Sequence, residues 1–384
     1  MKKILLFILF VIASQVAVAQ WVPLGDNFKW GVTCMAKSHN SIFTGNSIDL
    51  GVSLSKDNGV TWEIRNVIYG DGVSALIVFD NEVFAFVKNG VFSTADTAKT
   101  WVMKSNSNSI GGVNYVLPVG SYIFAASNYG VFVSKDTCKS WVLKNSGLKN
   151  LTVLSMDYRN GSLIVGTKNG IYLSKDMGEN WVEKNSGLTN LTVRAIAYKG
   201  DTILAGTENR LFISTDRAET WADPLIGFSP ISSIKTRGDT VVLGFQGGIF
   251  LSIDGGKFWT VMNNGLESVN IKSIFMYNDD IYIGAGNRLY YSNLKRLIAT
   301  VVEELPASSS SSLRISPQPI NGDYLTISNI PASASDLRIY SLLGEIVHSE
   351  VLNGAERRQI NVSGLPAGVY YLQVGMETRM VIKQ

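Results

Sequence analysis

From Trp21 to Ser292 the chain alternates short apolar or β-branched runs with clusters of Asn, Gly, Asp and Lys. One stretch shows the grammar: Leu151-Thr-Val-Leu-Ser-Met-Asp-Tyr158, Leu163-Ile-Val-Gly166, Gly170-Ile-Tyr-Leu-Ser174 and Trp181-Val-Glu-Lys184. Each run has the length and residue types of a β-strand, and each gap carries turn formers. No part of this region sustains a helical period.

The grammar repeats. An Asp is followed five positions later by Trp at Asp57/Trp62, Asp96/Trp101, Asp136/Trp141, Asp176/Trp181, Asp216/Trp221 and Asp254/Trp259, with Trp-to-Trp steps of 39, 40, 40, 40 and 38. Four strands per repeat at that period predict the blades of a β-propeller. A seventh unit without the Asp/Trp pair is present in Ile271–Tyr277, Asp280–Gly284 and Leu289–Ser292, and it lacks a fourth strand. Trp21-Val-Pro-Leu24 resembles the strand that follows each Asp/Trp turn, so the N-terminal strand is expected to complete the last blade and remove an exposed edge. Thr300-Val-Val-Glu303 is the alternative closing strand. The predicted class is all-β: a seven-bladed propeller over 20–299, then a smaller β-sandwich.

The turns themselves, such as Ser55-Lys-Asp-Asn-Gly-Val-Thr-Trp62 and Ser174-Lys-Asp-Met-Gly-Glu-Asn-Trp181, resemble the Asp-box, or bacterial neuraminidase repeat. The chemistry is that of a self-contained hairpin turn. The carboxylate accepts backbone N–H groups, Gly supplies a positive φ, and Trp covers the hairpin. Ala98, Cys138 and Ala218 stand where Gly is expected, so those turns should be strained or differently closed.

The N-terminus has a basic Met1-Lys2-Lys3, an apolar run from Ile4 to about Ile12, and Ala17-Val-Ala19 before Gln20. That order reads as a cleaved signal peptide over 1–19, and the run is short for a membrane span of roughly 20 residues. No transmembrane segment is expected in the mature chain. The net charge of +3 does not argue for nucleic acid or an anionic membrane as partner. Cys34 and Cys138 sit at different places in different repeats, which argues against a disulfide between them. With only His39 and His348, a His-based zinc site or a Ser-His-Asp triad lacks its residues. No EF-hand-like spacing is visible, and neither metal nor cofactor is expected.

Beyond Glu303 the run Ser308 to Ser312 cannot build a core, and 300–312 reads as a tether. Short alternating strands resume at Leu313-Arg-Ile-Ser-Pro-Gln-Pro319, Tyr324–Ile327, Leu337–Tyr340, Gln359–Val362 and Val369–Val374, as in a small Ig-like β-sandwich. Pro317-Gln-Pro319, Leu337-Arg-Ile-Tyr-Ser-Leu-Leu-Gly344, Leu365-Pro-Ala-Gly-Val-Tyr370 and Arg379-Met-Val-Ile-Lys383 resemble the C-terminal sorting domain of the type IX secretion system of Bacteroidetes. Gln318 replaces the Asn usual in that family. The resemblance implies that residues 313–384 address the protein to the type IX secretion machinery, for release or attachment at the cell surface.

Asp-box propellers include sialidases, which need an arginine cluster, an acid/base carboxylate and a Tyr–Glu pair. No Phe-Arg-Ile-Pro-like segment is present near Gln20. Xyloglucanase-like propellers instead use paired Asp residues near the ring axis. Asp71, Glu208 and Glu267 fall in loops of one face, and nothing in the sequence pairs them. A third resemblance is to the photosystem II assembly-factor propeller, which uses an arginine-rich patch. Aligning the innermost strands puts Thr33, Ser74, Asn114, Leu154, Arg194, Ser232 and Lys272 at one repeated position near the ring entrance. Arg194 and Lys272, with Arg210 and Arg288 from the second-to-third-strand loops, are the candidate cationic patch. Trp30, Tyr69, Tyr115 and Tyr129 are candidate aromatic platforms in or beside the same loops. The reading is a non-catalytic surface propeller that holds a glycan or protein; the alternative is a secreted glycoside hydrolase or lyase.

Overall fold

Every repeat folds into an antiparallel sheet because its second strand is apolar enough to be covered on both sides. A computed structural model describes residues 20–25, 31–38, 40–46, 51–65, 72–106, 110–223, 230–256, 259–304, 313–317, 320–330, 334, 336–340, 346–374 and 377–383. Leu163, Ile164 and Val165, consecutive in one second strand, are all fully buried. Such a run reads as continuous rather than alternating because neighbouring sheets press on both of its faces. The fourth strands are short and half in solvent, as Val182 and Val142 show.

In one sheet the strands Val153–Arg159, Ser162–Thr167, Gly170–Ser174 and Val182–Glu183 lie side by side in chain order. The sheets that begin at Val32, Val73, Val113 and Ile231 repeat this four-stranded order, and the one that begins at Val193 keeps three strands plus an isolated Ile213–Ala222 bridge. The innermost strands pack in succession. Val32–Ser38 lies against Val73–Phe79, that against Val113–Val119, and so on to Ile271–Tyr277, which returns to Val32–Ser38. The result is an all-β, propeller-like arrangement closed on itself.

Closure joins the N-terminal strand to the last strand of the ring. Val22–Leu24 pairs with Arg288–Asn293 in the register Val22↔Tyr291 and Leu24↔Leu289, completing the sheet of Ile271–Tyr277. The expected N-terminal strand is thus the one found. The alternative, Thr300–Glu303, lies instead in a helix, Leu294–Glu304, which also takes in the first residues assigned to the tether. Asn293 starts that helix by accepting the Lys295 N–H at 3.1 Å on its side-chain oxygen. Leu294 and Leu297 then pack beside Trp21 and Met262 in one core cluster, a gain that a polar tether cannot make. Residues 305–312, the presumed signal segment 1–19, and Gln318, Pro319 and 341–345 of the tail motifs lie outside the described residues.

The Asp turns close alike. Ser174 Oγ donates to Asp176 at 2.7 Å and accepts the Gly178 N–H at 2.8 Å, while Asp176 accepts the Asn180 backbone N–H at 2.9 Å. Where Gly is replaced, the same bond forms: the N–H groups of Ala98, Cys138 and Ala218 reach Thr94, Ser134 and Ser214 at 3.0, 2.9 and 2.9 Å. The expectation of a different closure fails. What those residues bear instead is a left-handed backbone, with φ of 62°, 65° and 66°.

In the C-terminal part, Arg314–Ser316, Tyr324–Ser328 and Arg357–Asn361 form one sheet. Ile346–Val351, Asp336–Tyr340, Gly368–Val374 and Glu377–Lys383 form another. Leu325, Ile327 and Ile360 of the first meet Leu337, Ile339 and Leu372 of the second in one core. Among the described residues no helix is long and apolar enough to cross a membrane.

Candidate functional site

The repeated position picked out by aligning innermost strands has a structural cause. In every innermost strand the pairing register slips by one residue, between Val32 and Cys34, Val73 and Ala75, Val113 and Tyr115, Val153 and Ser155, Val193 and Ala195, Ile231 and Ser233, and Ile271 and Ser273. The skipped residues are Thr33, Ser74, Asn114, Leu154, Arg194, Ser232 and Lys272. A bulge leaves its extra residue unpaired and re-aims the side chain. All of these residues line one cavity of about 330 Å³ along the ring axis.

Several of these side chains also tie neighbouring sheets. Thr33 Oγ1 donates to the Val73 carbonyl at 2.7 Å, Asn114 Nδ2 to the Val153 carbonyl at 2.8 Å, and Ser232 Oγ to the Ile271 carbonyl at 2.7 Å. The hydroxyl protons of Thr33 and Ser232 are thereby committed to the main chain, which leaves their oxygens as acceptors, while Asn114 gives its other amide proton to the Asn128 side chain at 3.0 Å.

The next residue along each strand is small, Cys34, Ala75, Ser155, Ala195, Ser233 and Ser273, with the single exception of Tyr115. Small residues leave the axis open, and Tyr115 fills part of it. Two positions further, an otherwise apolar column of Ala36, Ile77, Leu117, Ala197 and Phe275 holds Asp157 and Lys235. Lys235 Nζ lies 3.5 Å from the Tyr115 hydroxyl and 5.6 Å from its ring centroid. Both residues line the cavity and they come from well-separated sheets, so the pair bridges the axis. Tyr115, with the Asp157 charge, raises the Lys235 pKa against the opposing pull of burial. Asp157 is itself pushed up by burial, although it accepts the Tyr198 and Tyr158 backbone N–H groups at 2.7 and 2.8 Å. Lys235 escaped the sequence reading, yet it is legible as a charge in an apolar column.

Of the four cations singled out from sequence, two belong to the lining of this cavity. Arg194 and Lys272 line the cavity; Arg210 and Arg288 are not among its lining residues. Arg194 Nε pairs with Glu208 at 2.8 Å, Arg288 with Glu267 at 2.7 Å, and Arg210 with Asp223. Lys272 makes no ion pair with a described residue; its ammonium passes over Gly31, where an added Cβ would come within 2.7 Å. Gly31 also has φ of 76°, a left-handed backbone that disfavours any side chain there, whereas the Lys272 ammonium could swing aside. Tyr115 is in the cavity, Tyr129 is exposed at a loop, and Trp30, Tyr69 and Asp71 lie outside the described residues. The carboxylates of Glu208 and Glu267 are each engaged by an arginine, and no described carboxylate is among the lining residues. Among the described residues no three His, Cys, Asp or Glu side chains cluster as metal ligands.

Asp57, Asp96, Asp136, Asp176, Asp216 and Asp254 sit in turns between third and fourth strands, at the strand ends opposite the bulges. Trp181 and Trp221 each send the indole N–H to the preceding sheet, to the carbonyls of Lys144 and Lys184 at 2.8 Å. Trp141 reaches Ser105 at 3.2 Å, while Trp62 and Trp259 donate within their own turns to Gly59 and Gly256 at 3.0 Å. The Trp101 indole N–H is buried with no partner among the described residues.

Comparison with known proteins separates the two parts. Residues 314–384 match the family of the secretion system C-terminal sorting domain. The chain is therefore an all-β, propeller-like protein with a type IX sorting tail, which marks it for export to the cell surface or beyond. No curated protein matches the sequence. Among solved structures, YCF48 bound to D1 peptide superposes with a TM-score of 0.57 at 15% identity, over 72% of this chain and 98% of that one. The extracellular domain of the one-component system BT4673 from B. thetaiotaomicron gives 0.62 at 14%, over 86% of this chain and 47% of that one. PorZ, a surface component of the type-IX secretion system of Porphyromonas gingivalis, gives 0.52 at 16%, over 93% and 59%. At these identities the likeness is one of fold.

Proposed function

We propose that the mature chain is a seven-bladed Asp-box propeller, residues 20–299, that binds a glycan or protein ligand without turning it over. A signal peptide over 1–19 and an Ig-like sorting domain over 313–384 carry it to the cell surface. The observation that carries the reading is the ring of bulges, which presents one side chain per sheet to a single axial cavity whose described lining has cations and acceptors but no carboxylate. A glycosidase needs two carboxylates flanking its substrate. YCF48, which shares the fold, is solved with a peptide bound, and that keeps a peptide beside a glycan as a ligand class.

The test is a glycan array and a peptide array probed with the mature protein, alongside Arg194→Ala and Lys272→Ala. Binding that both substitutions weaken supports the reading. Release of reducing sugar from any bound glycan would replace it with the hydrolase. Delivery is tested by deleting residues 313–384, which should trap the protein in the periplasm; surface appearance of the truncation would refute that role.

A further inference from the structure

The axial cavity has an unmet electrostatic demand. Lys235 has three N–H donors and, among the described residues, a single polar contact, to the Tyr115 hydroxyl at the outer limit of hydrogen bonding, 3.5 Å. No described carboxylate lies within ion-pair distance of it. A half-buried ammonium in such surroundings gains strongly from an anion that brings its own acceptors. Around the mouth, Thr33, Ser74 and Ser232 have given their protons to main-chain carbonyls, at 2.7, 3.0 and 2.7 Å, so they offer acceptors to a ligand rich in hydroxyl donors. The volume, about 330 Å³, sits at the low end of small-molecule sites, roughly 300–1,000 Å³.

We propose that Lys235 and Tyr115 form an anion seat within the channel, and that the ligand enters carboxylate-first as the terminal uronic-acid residue of a glycan. This deepens the binding reading above and rests on it. Hydroxyls of the sugar meet the acceptor oxygens of the mouth, the Tyr115 ring offers a flat face, and the carboxylate meets the ammonium. A neutral sugar or an uncharged peptide segment would bury Lys235 with only the Asp157 charge, beyond ion-pair distance, to offset it.

The probes are oligosaccharides ending in glucuronate or galacturonate, the same compounds as methyl esters, and their neutral hexose counterparts, titrated calorimetrically into the mature protein. The acid should bind about tenfold or more tighter than its ester. Lys235→Met should erase that preference, Lys235→Arg should retain it, and the bound acid should protect Lys235 from acetylation. Equal binding of acid and ester, or no protection of Lys235, overturns the seat. Should Lys235→Met fail to fold, the ester and the protection experiment decide with unaltered protein. If neutral glycans or peptides bind and uronates do not, the seat falls while the binding function stands. If no ligand of any class binds, both fall.

Discussion

The indole N–H of Trp21 donates to the Met262 carbonyl at 2.7 Å, and its backbone N–H to the Asn264 carbonyl at 3.2 Å, across a separation of 241 residues for the first bond. The same two bonds recur at Trp181, to Lys144 and Ser146 at 2.8 and 2.9 Å, and at Trp221, to Lys184 and Ser186 at 2.8 Å each. Trp21 is therefore the turn tryptophan of the last sheet, supplied by the opposite end of the chain. Ser292 occupies the place of the serine or threonine that opens each turn, and it donates to the Gln20 carbonyl at 2.7 Å. The ring is fastened where its two ends replace one missing hairpin.

Removing that fastening should be costly. Trp21 is fully buried, so Trp21→Ala is expected to lower unfolding stability by roughly 3–5 kcal/mol. Trp21→Phe keeps most of the ring and strands the Met262 carbonyl, for a loss of about 1–3 kcal/mol. Urea denaturation followed by tryptophan fluorescence measures both. Equal stability of Trp21→Ala and the parent would mean that the N-terminal strand does not close the ring.

Acid should loosen the turns. Thr61 holds Asp57 down at about 2, the Asn180 N–H groups hold Asp176 at about 2, and Thr220 holds Asp216 at about 2, all below an ordinary 3.8. A carboxylate with a depressed folded-state pKa contributes stability that is fully present above its unfolded pKa and lost as pH falls through the folded one. The urea midpoint should thus fall between about pH 4 and pH 2. Asp176→Asn should flatten part of that slope. Asp157, raised by burial, adds a smaller slope of the opposite sign above 3.8.

Neither thiol should behave as a reactive cysteine. Burial pushes Cys34 up to about 12, against the hydrogen bonds of Thr33 and Gly45, and pushes Cys138 up to about 12, helped by the Asp136 charge. Both are free. At pH 8 each is ionised to only about one part in ten thousand, so iodoacetamide should label neither in the native protein and both after urea unfolding. Mass spectrometry of native, briefly treated protein distinguishes the outcomes, and fast labelling of Cys138 would mean that its turn opens locally.

How far the sequence led can be seen residue by residue. The repeat, the N-terminal closing strand and the tail were legible because each recurs as a pattern of several residues: Asp-x4-Trp, Trp21-Val-Pro-Leu24 against Trp141-Val-Leu-Lys144, and the ordered tail motifs. The helix Leu294–Glu304 was not, because its apolar positions matter only against the Trp21–Met262 core that the closed ring creates. Alignment found Arg194 and Lys272, but Arg210 and Arg288 followed from loop position alone. Their partners Asp223 and Glu267 are fixed by side-chain reach, which spacing does not encode. Lys235 was missed for a related reason: a single charge looks like rim solvation until its column is seen to face the axis.

The seam between first and last sheets holds a further bond between distant residues. Lys37 Nζ lies 3.0 Å from Asp280 and 3.2 Å from the Tyr282 hydroxyl, and it stands over the rings of Tyr277 and Tyr282 at 5.1 and 5.5 Å. Asp280 also accepts the Tyr291 hydroxyl at 3.0 Å. Against the pull of burial, Asp280 and Tyr282 raise the Lys37 pKa and keep it charged. With side chains 10% and 27% exposed, the pair is too covered to count as a surface bridge. Lys37→Met leaves the carboxylate facing the seam with only a phenol, and a loss of about 2–4 kcal/mol is expected. Asp280→Asn alone should cost somewhat less, because Tyr291 can still donate to the amide oxygen. In the double variant no charge is left unpaired, so its loss should fall well short of the sum of the two single losses. Additive losses in a urea double-mutant cycle would show that the two side chains act independently and that the seam is held by its tyrosines alone.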